Sequence, residues 1–149
     1  MTNFEPKKLK NNWTIEDSIS TYNIDKWGDQ YFSINSNGNI SITPEKKSAK
    51  IIDLFKLVEE LKSREINTPL IIRFNDILKD RIKELHEAFS KAIKTYEYKN
   101  IYQGVFPVKC NQQKNVLEKI LEFGEPWNFG LEVGRSEERR VGKECRSRW

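Results

Sequence analysis

Cysteine is nearly absent from the chain. Cys110 and Cys145 are the only two, and two isolated thiols make neither a disulfide framework nor a zinc site. Histidine occurs once, as His86. It has no acidic or cysteine partner at ligand spacing, so it reads as a helix-surface residue. No apolar run approaches the roughly 20 residues that a membrane-spanning helix needs. Residues 1–12 are rich in Lys and Asn and lack an apolar signal core. The glycines (Gly28, Gly38, Gly104, Gly124, Gly130, Gly134 and Gly142) stand apart from one another, so there is no glycine-rich phosphate loop of the usual kind. Internal repeats and low-complexity linkers are missing too. A soluble, cytoplasmic protein with no membrane partner is expected.

What is present is an ordinary globular composition, with 37% hydrophobic and 32% charged residues in a chain of 149. That length is enough for one domain with a core. The net charge of +4 invites a nucleic-acid reading, but its distribution removes it. Residues 135–149 carry six cations and three anions, leaving 20 cations and 19 anions for residues 1–134. A nearly neutral body has no basic stripe to neutralise phosphates. Those last fifteen residues hold five arginines, against three (Arg64, Arg73 and Arg81) in all that precedes them. They also lack helical or strand periodicity. Residues 135–149 are therefore expected to be a foreign, read-through tail outside the fold.

Residues 31–42 alternate in polarity on both sides of Asn37-Gly38, a β-hairpin signal. Pro44 ends it. From about residue 45 to 64, Ile51, Leu54, Phe55, Val58 and Leu61 recur at helical spacing. Pro69 then introduces Leu70-Ile-Ile-Arg-Phe74, a short apolar run expected of a strand covered on both faces. Asp76 stands where an N-cap should. Leu78, Ile82, Leu85, Phe89, Ile93 and Tyr96 mark a long amphipathic helix. A second strand is predicted over about 102–109 and a second helix over about 114–123, with Gly124 at its C′ position. A third strand follows over about 127–133. This alternation implies an α/β fold with a parallel sheet. Three parallel strands do not close a barrel, which takes roughly 250 residues. Either the sheet is small and open, or it is the truncated opening part of a (β/α)₈ barrel. The expected organisation is an N-terminal extension with the β-hairpin over 1–44, the sheet domain over 45–134 and the foreign tail over 135–149.

Gly104-Val-Phe-Pro-Val-Lys-Cys-Asn-Gln-Gln113 is the most informative stretch. Alternation puts Val105, Pro107 and Lys109 on one strand face and Phe106 and Val108 on the other, toward the helices. Pro107 is awkward in an interior strand because it cannot donate to the ladder. Lys109 comes last, before a polar loop, and the carboxyl ends of strands form the active face of α/β barrels. An inward lysine is costly unless used; burial favours the free amine that Schiff-base chemistry requires. By itself, a strand-terminal lysine is most often a solvated surface residue.

Val108-Lys-Cys-Asn111, preceded by an aromatic and a Pro and followed by Gln-Gln, resembles the cofactor-lysine motif of fold-type III pyridoxal-phosphate decarboxylases. Tyr22-Asn-Ile-Asp-Lys-Trp-Gly28, Pro69-Leu-Ile-Ile-Arg-Phe-Asn-Asp-Ile-Leu78 and Phe129-Gly-Leu-Glu-Val-Gly134 resemble successive segments of the biosynthetic arginine decarboxylases. The likeness is colinear from about Trp13 to Gly134, and breaks at Arg135. It implies the opening of an alanine-racemase-like (β/α)₈ barrel and the decarboxylation of L-arginine to agmatine in putrescine and spermidine synthesis. It also implies pyridoxal 5'-phosphate and magnesium as cofactors, and a homo-oligomer. Lys109 is the residue that carries over by motif, as catalytic and cofactor-binding. The phosphate loop, the partner of the pyridine nitrogen and the family's catalytic cysteine have no counterpart here. Cys110 is not that cysteine, since its parity points it away from Lys109. By itself such a piece is expected to be inactive. Asn111, in the loop after Lys109, and Glu132, near the carboxyl end of the third strand, are further cofactor-binding candidates; loop shaping and edge pairing are their plain alternatives. Arg73 interrupts an apolar strand, and substrate binding and a structural ion pair both stay open. Other fold-type III enzymes, acting on ornithine or diaminopimelate or as racemases, are the near alternative. A non-catalytic α/β binding module is the distant one.

Overall fold

Thr14 and Asp17 cap one another at the start of the first helix. The Thr14 hydroxyl accepts from the Asp17 amide at 3.1 Å, and the Asp17 carboxylate accepts from the Thr14 amide at 3.1 Å. The computed structural model describes residues 12–46 and 49–134, so the predicted tail at 135–149 lies outside the described residues. Two compact units divide between Ile72 and Arg73.

In the first unit, α1 (Ile15–Tyr22) ends at Asn23, whose left-handed backbone leads into α2 (Ile24–Trp27). The expected hairpin follows. β1 (Phe32–Ile34) pairs antiparallel with β2 (Ile40–Ile42), Ser33 opposite Ser41. Its loop is wider than a two-residue turn. Asn35 closes it by accepting from the amides of Asn37 and Asn39, both at 3.0 Å, and Gly38 takes a positive φ of 78°. A third strand, β3 (Ile52–Asp53), adds to β2. The predicted helix over 45–64 is therefore shorter: α3 spans Leu54–Ser63. Ile52 is taken by the ladder, and Asp53 ends the strand and caps the helix by accepting from the Lys56 amide at 3.1 Å. Ile24, Tyr31 and Ile42 are the buried apolar side chains of this unit among the described residues.

The predicted strand over 70–74 is not one among the described residues. It forms no ladder, and Ile71 is 79% exposed. An apolar run becomes a strand only when a partner takes its backbone groups, and none does so here. In the second unit, α4 (Asn75–Thr95) starts at Phe74 as N-cap, not at Asp76. Asp76 lies in the first turn, where its charge meets the helix's positive end. β4 (Val105–Pro107) and β5 (Gly130–Glu132) pair in parallel, Pro107 opposite Glu132, and α5 (Lys114–Gly124) connects them. Both strands are shorter than predicted. Pro107 is tolerated because β4 has a ladder on one side only among the described residues.

Ile82, Val108, Leu117 and Ile120 form this unit's core, with Phe106, Leu131 and Val133 packed against them. The expected placing of Phe106 and Val108 toward the helices holds. Gly124 is not a left-handed C′ residue. It ends α5 within the helix, and a Cβ there would overlap the Cβ of Phe129. The result is a mixed α/β chain in which no described helix is long and apolar enough to cross a membrane.

Candidate active site

Lys109 belongs to a turn, not to the strand that leads to it. β4 stops at Pro107, and Val108–Cys110 form one 3₁₀ turn closed by the Asn111 amide on the Val108 carbonyl at 3.1 Å. Strand alternation therefore does not fix the directions of Lys109 and Cys110, and the parity argument about Cys110 lapses; both side chains are exposed. On one side the turn is anchored by Val108, which is fully buried. Beyond it, Asn111 is half-buried, and its side-chain oxygen accepts from the Gln113 amide at 3.0 Å. Gln113 is the N-cap of α5, and its carbonyl accepts from the amides of Val116 and Leu117 at 3.0 and 3.1 Å.

Arg73 reaches this loop. Its guanidinium donates to the Gln113 side-chain oxygen across forty residues of sequence. The partner is a neutral amide, so the structural ion pair considered for Arg73 is not formed among the described residues. Glu132 is exposed at the last position of β5, opposite Pro107. Lys109 and Glu132 each form no hydrogen bond or ion pair among the described residues. The carboxyl end of the parallel pair thus gathers Lys109, Asn111, Gln113 and Arg73, with Glu132 on the neighbouring strand. Lys109 offers an exposed amine free of competing partners, which suits covalent attachment of an aldehyde. No three His, Cys, Asp or Glu side chains converge on a metal position among the described residues.

His86 is not a surface residue. It is 3% exposed, with Nδ1 donating to the Ile82 carbonyl at 2.9 Å. Its ring stacks on Trp127 at 5.1 Å and meets Tyr102 at 5.3 Å and Phe129 edge-on at 5.4 Å. Nε2 is buried with no partner among the described residues. Position 86 lies four residues from Ile82 and eight from Leu78, so it sits on the buried stripe, while Leu85 turns outward at 41% exposure. Sequence alone could not choose between these two nearly equivalent stripes; the aromatic partners that decide it lie 16 to 43 residues away. His86, Tyr102, Trp127 and Phe129 border a cavity of about 900 Å³ at the amino ends of β4 and β5, the end away from Lys109.

No family model matches the chain. Among curated proteins it is similar to the biosynthetic arginine decarboxylase of Prochlorococcus marinus strain MIT 9215, 82% identical over 142 residues, or 95% of this chain and 22% of that protein. The enzyme of the same name from strain MIT 9303 is 49% identical over 138 residues, covering 93% of this chain and 21% of that protein. The crystal structure of the biosynthetic arginine decarboxylase from Campylobacter jejuni superposes with a TM-score of 0.73 at 31% identity, over 83% of this chain and 20% of that one. The chain thus spans about a fifth of the length of the relatives it matches.

Proposed function

We propose that the chain belongs to the biosynthetic arginine decarboxylase family, to one member of which it is 82% identical over 142 residues, and that it supplies the cofactor-bearing lysine for decarboxylation of L-arginine to agmatine. The observation that carries this reading is the placing of Lys109. It stands exposed, without a partner among the described residues, at the carboxyl end of a parallel β–α–β unit, where α/β enzymes place their chemistry. In this reading β4 and β5 are neighbouring strands of a (β/α)₈ barrel. Their Phe106 and Leu131 face is covered by helices, while Val105 on the other face is 55% exposed.

Lys109 would hold pyridoxal 5'-phosphate through its amine. When bound, the cofactor's ring serves as an electron sink as carbon dioxide leaves. The chain's own contribution is positional. Buried Val108 fixes the root of the turn, and Asn111 fixes its exit. Asn111 and Glu132 border the position and are the further candidates to contact the cofactor. Homo-oligomeric assembly, a place in polyamine synthesis and a cytoplasmic location follow from the same family reading.

The test uses purified protein incubated with pyridoxal phosphate and reduced with borohydride. A pyridoxyl mass increment should appear on the peptide containing Lys109. Lys109→Ala should lose it and, in a protein carrying this segment at the full length of the relatives, should lower carbon dioxide release from labelled arginine by roughly a thousandfold. Full labelling at a different lysine, or undiminished turnover by the Lys109→Ala protein, would overturn the assignment.

A further inference from the structure

We infer that Arg73 is a positioning residue for Lys109, acting through Gln113; this rests on the reading of Lys109 just proposed. The path is continuous. Arg73 directly precedes Phe74, the N-cap of α4. Its guanidinium donates to the side-chain oxygen of Gln113, the N-cap residue of α5. The Gln113 amide donates to Asn111, and the Asn111 amide closes the turn that carries Lys109.

Each end of that turn then has an anchor of its own. Val108 sits fully buried in the core. The far end is exposed, and an exposed loop needs tethers to stay in place. A lysine has four rotatable carbons, so its amine is located only as well as its backbone root. A charge-assisted hydrogen bond is worth roughly twice a neutral one. It is also long-range, so it ties the lysine loop to the start of the preceding helix. The arginine that interrupts an otherwise apolar run thereby acquires a purpose that neither packing nor ion pairing provides.

The experiment compares the parent with Arg73→Ala, Arg73→Lys, Gln113→Ala and the Arg73→Ala/Gln113→Ala double variant. The first reading is the pyridoxal phosphate concentration that half-labels Lys109 under borohydride. The second is amide hydrogen exchange over residues 109–113 without cofactor. Arg73→Ala and Gln113→Ala should each raise the half-labelling concentration about tenfold. The double variant should be no worse than either single, because both break one path. Arg73→Lys should restore part of the loss. Exchange should quicken at 109–113 while the core amides of Leu117 and Ile120 keep their protection. Unchanged labelling and unchanged exchange in Arg73→Ala would overturn the inference, as would additive losses in the double variant. A parent unlabelled at Lys109 would instead sink the reading of Lys109, and the exchange data would still decide whether Arg73 tethers the loop. Should Arg73→Ala fail to fold, Gln113→Leu breaks the same bond.

Discussion

Single side chains are decided by what they touch, and Gly124 shows it plainly. Its carbonyl accepts from the Phe129 amide at 3.1 Å, and the Phe129 Cβ occupies the space a side chain would need. The obstruction lies at a Cβ tied closely to backbone, so it cannot swing away. Gly124→Ala should cost about 1–3 kcal/mol through overpacking, despite the better helix propensity of alanine. Urea unfolding measures it; a stabilised variant would mean that β5 shifts freely against α5. His86 makes the opposite case. Because Nε2 is buried without a partner among the described residues, a phenylalanine of similar shape should be tolerated, changing stability by no more than about 1 kcal/mol in either direction. His86→Ala should cost about 2–4 kcal/mol for the space it leaves among Tyr102, Trp127 and Phe129.

At the scale of elements, junctions depend on a few polar groups. Asp53 ends β3 and begins α3. Its carboxyl pKa lies below the usual aspartate value, first because the Asn39 side chain donates to it, then through the Lys56 amide, the Asn35 side chain and the Lys56 charge. A depressed folded-state pKa gives stability that is present above the unfolded value of about 3.9 and is lost as pH falls through the folded value. The melting temperature of the parent should therefore fall relative to that of Asp53→Asn as pH drops from 5 to below 3.9. Parallel curves for the two proteins would show that the carboxylate contributes nothing to folding. Solvent screening at this surface position keeps the effect small. The same junction explains why the helix predicted from residue 45 starts nine residues later. Apolar spacing over 51–61 suits a helix throughout, but Ile52 gains a ladder partner in Ile42, and Asp53 provides the cap.

Among the described residues each unit has its own buried side chains, around Ile42 in the first and around Leu117 in the second. Leu117→Ala should cost about 2–5 kcal/mol. Hydrogen exchange should then quicken over residues 73–134 and leave the amides of β1 and β2 protected. Ile42→Ala should do the reverse. Loss of protection throughout in either variant would mean that both units unfold as one.

By itself the sequence determined the local devices: the hairpin about Gly38, the amphipathic helices, the β4–α5–β5 order and the Val108-Lys-Cys-Asn111 motif at its carboxyl end. These depend on backbone freedom, spacing and residue type within a few positions, all of which can be read along the chain. Tertiary structure decided the rest. It left the run over 70–74 without a ladder, because a strand needs a partner that pattern cannot supply. It turned His86 inward and Leu85 outward, because two helical stripes one residue apart have nearly equal apolar content and distant aromatics break the tie. It placed Lys109 in a turn and joined Arg73 to Gln113, a pairing of residues forty positions apart that only the packing of α4 beside α5 brings within hydrogen-bonding distance.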